Sequence, residues 1–368
     1  MFSFAKLDSN KHLRMEQVRR LIQDVATCAQ DGRAVNIGQV SFRTTLNLLS
    51  NTVFSVDLEG SVGGSRIGEL KELVANIMTE AGSPNIADFF PALKRWDPQG
   101  RKRRLEAYFG RMLDIFYEIM EKRMDGRGKD GWRRKDDVLE ILLDICQDED
   151  ENAVDFVLIK HMFLDVFIAG TDTTSSTMEW AMTELLLSPE KLYKAQSELR
   201  DVTDKGNLVD ESDLLCLPYL KAVITETFRL HPPVPFLLPR IAGEEKRVGE
   251  YVVPKGAQVL VNVWGMGRDP RVWGKNAEEF VPERFLGSQI DVKGRDFELL
   301  PFGAGRRICP GMQLAIRMLH VMLGSLLRNF NWKLEDSIAP EMLDMDERFG
   351  ITVQRARPLE AVPSAVAA

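Results

Sequence analysis

The sequence predicts a mainly α fold with small β-sheets, and three observations carry that prediction. Apolar residues recur at helical spacing through most of the 368-residue chain. One stretch, Asn152 to Leu187, has no strong helix breaker over about 36 residues, or roughly 54 Å of helix. Strand-like patterning is confined to short pieces, "EYVVPKGAQVLVNV" and "FGITVQRA".

Leu13 to Ala29 reads as the first helix, and "RTTLNLLSNTVFSVDL" (Arg43 to Leu58) as a second, mostly buried one. Residues 66–81 and 101–124 are amphipathic. Between them, "GSPNIADFFPALKRWDPQG" carries prolines that interrupt any helix, and its aromatics are expected to pack as a core-facing loop, with contact to ligand or lipid as the alternative. "DGRGKDGWRRK" (Asp125 to Lys135) is a charged, glycine-rich connection, and "DDVLEILLDI" a short helix. The acidic run Asp148 to Glu151 precedes the long helix, where negative charge favours the positive end of the dipole; capping is expected there rather than metal binding. Pro189 closes the long helix. A helical region at "SDLLCLPYLKAVITETFRLHP", the short strands, an irregular region from Gly265 to Gly305 and a last helix from Pro310 to Phe330 complete the chain, without internal repeats.

Composition bounds the function. With 44% hydrophobic and 28% charged residues the chain can build a large core, and Lys+Arg 48 against Asp+Glu 55, net charge -7, argues against a nucleic-acid partner. Cys28, Cys146, Cys216 and Cys309 form no C-x-x-C pair, which excludes a zinc finger or dense disulfide framework and fits a reducing compartment. No apolar run of about 18 residues and no signal-peptide core is present, so neither a membrane span nor an export signal is expected.

The most specific signal is "PFGAGRRICPG", Pro301 to Gly311. Pro310 fits the first position of the last helix, which puts Cys309 at a helix N-terminus, where the dipole and free N–H groups lower a thiol's pKa. Gly303, Gly305 and Gly311 let a flat object approach the backbone, and Arg306 and Arg307 offer charge to an anion. Thiolate, flat wall and carboxylate clamp together suit haem. The alternatives are an inert cysteine at a tight helix entry and a phosphate loop; the latter is disfavoured because no Lys-Ser/Thr follows the glycines. In the long helix, "AGTDTTSST" (Ala169 to Thr177) is poor helix material, since Gly costs about 1 kcal/mol relative to Ala. Its hydroxyls can bond back to carbonyls one turn earlier and bend the helix, and Asp172 beside Thr173 offers an acid and an alcohol for proton relay. His12, His161, His231 and His320 have no second ligand at metal spacing and read as packing or surface residues.

The spacing F-x-x-G-x-R-x-C-x-G, met by Phe302, Gly305, Arg307, Cys309 and Gly311, resembles that of the cytochrome P-450 superfamily of haem-thiolate monooxygenases. "ETFR" (Glu226, Arg229), "HPPVPFLLPR" and "PERF" (Arg284) follow in the family's order, and Ala169, Gly170, Asp172 and Thr173 match its A/G-G-x-D/E-T pattern. Glu16/Arg19 and Glu244/Arg247 share the E-x-x-R spacing without that context. The resemblance implies a single, partial monooxygenase domain over residues 1–368, a cytochrome P-450 fold lacking its N-terminal part, with a Glu226–Arg229–Arg284 lock beneath the cofactor. It implies haem b (iron protoporphyrin IX) with Cys309 on the iron, and cofactor contacts from Arg307, Arg240, Phe302, Gly303, Gly311 and Ala169. Asp172 and Thr173 would be catalytic, with Val166, Ala169, Val234, Phe236, Leu237 and the turn Phe349 to Ile351 lining the substrate pocket.

The blocks at Arg43 to Leu58 and Asp291 to Gly311 look like those of plant terpenoid hydroxylases of the geraniol-hydroxylase-like group. That implies hydroxylation of an apolar small molecule with O2 and NADPH electrons delivered by a flavoprotein reductase, at the cytosolic face of the endoplasmic reticulum membrane, or in the cytosol if an anchor is absent. The family's anchor, hinge, first helices and W-x-x-x-R propionate motif would precede this chain; Trp264 and Arg268 repeat that spacing in the wrong place and read as coincidence. A non-catalytic haem-binding remnant and a cysteine hydrolase built on Cys309 are the competing readings.

Overall fold

The computed structural model describes residues 1–58, 65–127, 129–147, 155–204, 208–335 and 338–366. α1 (Phe4–Ser9) and α2 (Lys11–Gln30) open the chain, and Val18, Leu21 and Val25 of α2 are buried along one face. A short strand, β1 (Val35–Asn36), leads into α3 (Ile37–Phe54). α3 starts before the expected Arg43 because the Asn36 side chain caps it, accepting from Gln39 N at 2.7 Å. It stops before Leu58 because Ser55 turns left-handed, φ 48°.

α4 (Ser65–Gly82) and α6 (Arg101–Arg127) flank the proline-rich segment, which forms α5 (Ile86–Phe89) and a 3-10 turn at Pro91–Leu93. The expected core-facing loop is not what forms: Phe89, Phe90 and Trp96 are 73%, 63% and 79% exposed. Prolines deny the segment a continuous helix that would aim those rings inward. The connection expected from Asp125 begins later, since α6 runs to Arg127.

α7 (Val138–Gln147) precedes α8 (Phe156–Leu187). The acidic run 148–151 and the expected helix start at Asn152 lie outside the described residues; the cap observed is Asp155, which accepts from Val157 N at 3.2 Å. α9 (Pro189–Val202) takes Pro189 as its first residue, so the proline that ends one helix begins the next. α10 (Pro218–Leu230), β2 (Arg240–Ile241), β3 (Lys246–Val248), β4 (Tyr251–Val253) and β5 (Gln258–Val259) follow, with short α11 (Val263–Met266) and α12 (Pro270–Trp273) inside the irregular region.

α13 (Met312–Asn329) is the last helix. Pro310 is not its first residue: Gly311 is the N-cap and Pro310 sits in the turn before it. β6 (Phe330–Leu334), β7 (Glu347–Arg348), β8 (Gln354–Arg355) and β9 (Glu360–Ala365) end the chain. The strand expected through "FGITVQRA" is a hairpin instead, with Phe349–Val353 as the turn between β7 and β8. β1, β9 and β6 form an antiparallel sheet in that order, and β2–β5, β3–β4 and β7–β8 pair two by two.

Two apolar cores share α8. Met178, Met182 and Leu185 join α2, α10 and α13 in one, while Phe163 and Phe167 join α3, α4 and α6 in the other. At the changeover, a Cβ on Gly170 would stand 2.8 Å from Leu49 Cδ1, so glycine lets α3 lie close against α8. The expected back-bonding is present: Thr171, Thr173, Thr174 and Thr177 donate to the carbonyls of Phe167, Ala169, Gly170 and Thr173 at 2.7, 2.7, 3.2 and 2.9 Å. The helix nevertheless stays continuous over 32 residues.

Removing the cap tests how far α8 depends on its own start. Asp155→Ala is expected to cost about 1 kcal/mol, read as a lower urea midpoint with an unchanged slope. An unmoved midpoint would mean that packing alone holds this end.

Candidate cofactor and substrate site

The loop at 301–311 is built by its glycines. Gly303 and Gly305 adopt φ 69° and 67°, conformations that a side chain would strain, and Ile308 N donates to Gly305 O at 3.1 Å to close a tight turn. Cys309 N then donates to Phe302 O at 3.0 Å, which folds the strand of loop carrying the thiol back on itself. The Phe302 ring sets this loop against α10 by an edge contact with Phe228, centroids 5.1 Å apart.

Cys309 is half-buried just ahead of α13. Burial pushes its thiol up, while the backbone N–H groups of Gly311 and Met312 pull it down. The sequence reading counted only the second effect, and the protein adds a larger opposing one. A Cβ at Gly311 would lie 3.8 Å from Sγ, so glycine keeps the approach to the sulfur clear. Arg240 on β2 and Arg307 are both exposed, and neither side chain makes a hydrogen bond or ion pair among the described residues. One half-buried thiol, glycine-walled backbone and two uncommitted guanidiniums fit a planar, iron-bearing dicarboxylate such as haem.

The long helix presents two different faces. Ala169 is exposed and Thr173 half-buried on one side, with Asp165 and Val166 a turn earlier. The Asp172 side chain is buried on the other, where it accepts from Thr352 Oγ1 and Gln354 Nε2. Burial pushes the Asp172 carboxyl up; Thr352, Arg348, Gln354 and Lys71 oppose it. The structure therefore brings Ala169 and Thr173 to an open surface and turns their neighbour Asp172 toward the β7–β8 hairpin. Sequence reasoning missed Thr352 and Gln354; their i, i+2 spacing, which puts two polar groups on one face of an extended segment, was the available signal.

The expected substrate-lining residues fall in connected places. Val234, Phe236 and Leu237 are half-buried, Phe349 is 52% exposed and Ile351 is half-buried. Val353 N donates to Pro233 O at 2.9 Å, and a Cβ on Gly303 would meet Leu237 Cδ1 at 3.8 Å. The segment 233–237 thus touches both the hairpin turn and the cysteine loop. Ile351 N donates to Met78 O at 3.1 Å, which ties the turn to α4 as well.

Below the loop, Glu226 is fully buried and accepts from Arg229 Nε at 2.6 Å and Nη2 at 2.7 Å, from Arg284 Nε at 3.1 Å and from Val281 N at 2.7 Å. Arg284 also donates to Trp273 O at 2.9 Å and Asn276 Oδ1 at 3.1 Å, so the expected lock joins α10 to α12 and the segment beyond it. The look-alike Glu16–Arg19 pair is an exposed 2.6 Å bridge within one helix, and Glu244 pairs with Lys246 rather than Arg247. Trp264 and Arg268 stack on each other, guanidinium 4.0 Å from the ring, a local cation–π contact.

The histidines stay outside the site. His12, His161 and His320 bond their Nδ1 to the carbonyls of Ser9, Val157 and Ile316, and His231 bonds Glu184 at 2.7 Å while stacking on Trp180. None meets Cys309, which leaves the cysteine-hydrolase reading without a base.

A family model described as cytochrome P-450 matches residues 1–359. A geraniol 8-hydroxylase of Catharanthus roseus is 52% identical over 364 residues, 99% of this chain and 73% of that protein. A drimenol monooxygenase of Persicaria hydropiper is 48% identical over 366 residues, 100% of this chain and 72% of that one. A zebrafish cytochrome P-450 solved with abiraterone superposes with a TM-score of 0.78 at 25% identity, covering 98% of this chain and 78% of its own.

The lock sets the stability of this region. Glu226→Gln leaves buried Arg229 and partly buried Arg284 short of their counter-charge and is expected to cost about 3 to 5 kcal/mol in chemical unfolding. A loss under about 1 kcal/mol, the range of an exposed pair, would reduce the lock to a surface bridge.

Proposed function

The chain belongs to the cytochrome P-450 family, a haem monooxygenase, and from that premise we propose that it hydroxylates an apolar terpenoid. The observation that carries the reading is the half-buried Cys309 thiol in a glycine-walled loop, with Arg240 and Arg307 both uncommitted. Haem held by a cysteine thiolate supplies the electron density that favours O–O cleavage. Every other role belongs to the polypeptide.

Cys309 Sγ would hold the iron, with the N–H groups of Gly311 and Met312 favouring its anionic form against the burial that opposes it. Arg240 and Arg307 would pair with the propionates. Phe302 and Gly303 shape the wall on the sulfur side, Gly311 leaves Sγ accessible, and the small side chain of Ala169 leaves room on the helix side. Thr173, whose hydroxyl donates to Ala169 O at 2.7 Å, stands on the open face of α8 and is placed to pass a proton to oxygen. Asp172, turned to the hairpin side of α8, is assigned the acid of the pair, a role suited to a carboxyl whose charged form is penalised by burial.

The terpenoid class rests on the relatives, whose names include geraniol 8-hydroxylase and drimenol monooxygenase. Val166, Val234, Phe236, Leu237 and the turn Phe349 to Ile351 supply the apolar contacts. Relatives that are monooxygenases over 99% or more of this chain do not favour the non-catalytic remnant. The family uses redox partners, and we assign an NADPH-dependent flavoprotein reductase as the electron donor here. Among the described residues no helix is long and apolar enough to cross a membrane. We place the enzyme at the cytosolic face of the endoplasmic reticulum, where exposed Phe89, Phe90 and Trp96 beside exposed Lys94 and Arg95 suit an interface of apolar chains and anionic headgroups.

Carbon monoxide added to the reduced holoprotein is expected to give the strongly red-shifted Soret band of thiolate ligation, and Cys309→Ala to abolish it; an unshifted band in the intact protein would overturn the ligand assignment. With reductase and geraniol, Thr173→Ala is expected to keep that band, lose about 10²-fold or more in coupled turnover, and release peroxide instead. Normal coupling in this variant removes Thr173 from the relay.

A further inference from the structure

The role of Asp172 leaves open what holds its carboxylate, and the β7–β8 hairpin answers with two donors side by side, one of them backed by a third. Thr352 Oγ1 donates to one carboxylate oxygen and Gln354 Nε2 to the other. Gln354 is itself oriented: Arg348 Nη2 donates to Gln354 Oε1. A guanidinium only donates, so the amide oxygen must face Arg348 and the NH2 must face Asp172. Thr352 is 2% exposed, so its hydroxyl bond forms away from competing water.

The same residues bracket the turn assigned to substrate contact. Phe349 to Ile351 lies between Arg348 and Thr352, and Ser176 Oγ, one helical turn beyond Asp172, donates to Val353 O at 2.9 Å. The turn has few other anchors: the Ile351 and Val353 amides to Met78 O and Pro233 O. The charged groups facing Asp172 are Lys71 from α4 and Arg348 from β7, whereas the hydrogen bonds to the carboxylate come from Thr352 and Gln354.

We propose that Thr352 and Gln354 are positioning residues that couple the substrate-facing turn to Asp172, so that the acid delivers its proton only while the turn is seated. The inference rests on the reading of Asp172 as the proton-handling acid. Two neutral donors hold the carboxylate in one rotamer without fixing its charge as an ion pair would. A turn displaced by a poorly fitting ligand loosens both donors together, since they are two residues apart on the same strand end.

The test uses the holoenzyme with reductase and geraniol. Thr352→Val and Gln354→Met each remove one donor at near-constant volume. Each is expected to lower the share of NADPH electrons reaching product about tenfold, the scale of one hydrogen bond to a charged group, with peroxide rising to match. The carbon monoxide band and the midpoint of the substrate-induced spectral change should stay at wild-type values. Thr352→Ser restores the hydroxyl and should restore coupling. Independently of turnover, Asp172→Asn should speed amide hydrogen exchange at Ile351 to Gln354, and unchanged exchange overturns the coupling of turn and acid.

Full coupling in Thr352→Val and Gln354→Met, with Asp172→Asn uncoupled, overturns the positioning role and leaves the acid in place. Full coupling in Asp172→Asn removes the underlying reading, and the inference with it. A weakened substrate midpoint with coupling intact assigns Thr352 and Gln354 to substrate binding alone and also overturns the proposal.

Discussion

α8 is the constraint on which the rest of the molecule is arranged, because two apolar cores pack against it, with α3 lying along it and also contributing to both. From Thr174 to Leu186 every residue is buried. Earlier, at Asp165, Ala169 and Thr173, one face stays at least partly open. A helix in that position must satisfy its own polar groups where it passes from one core to the other. The threonines do so by donating back into their own helix, which removes the desolvation cost of the hydroxyls without needing outside partners. Gly170 completes the arrangement by letting α3 approach closely.

The two buried carboxylates near the site are treated in opposite ways, and the contrast follows from what each must do. Glu226 meets two guanidiniums and a backbone N–H, so its charge is matched and its geometry over-determined. That suits a fixed joint between α10 and the segment ending at Phe285. Asp172 meets a hydroxyl and an amide, with burial working against its charge. Neutral donors hold an oxygen in place without adding a full counter-charge, which suits a group that changes protonation.

What was legible in the sequence was what depends on local chemistry. Cys309 stood out because glycines, arginines and a helix start fall within one short loop, and the Glu226–Arg229 spacing became specific through its place before "PERF". The length and hydroxyl content of α8 were also visible, since helix periodicity is a short-range property. The partners of Asp172 were not, because Thr352 and Gln354 lie 180 and 182 residues away. The Cys309 thiol misled for a related reason: a helix start can be read from Pro and Gly, whereas the burial that opposes it arises from the packed fold. Phe89, Phe90 and Trp96 look like core residues by composition, and only the observed backbone shows that their rings face outward.

The hairpin turn carries an exposed side chain on a backbone fixed from several sides. Its backbone is held by amide bonds to Met78 O and Pro233 O and by Ser176 to Val353 O, none of which involves the side chains of Phe349 or Ile351. Its side-chain anchors, Thr352 and Gln354, point to Asp172. Phe349 is the exposed residue of the tip, whereas Ile351 packs against the core formed by α3, α4 and α6, and the Gly350–Ile351 backbone lies close against Gly82. Because segment 233–237 reaches both this turn and the cysteine loop, a change at the tip need not travel through solvent or through long flexible side chains to reach the acid. Thr352 and Gln354 meet the Asp172 carboxylate directly, through two hydrogen bonds.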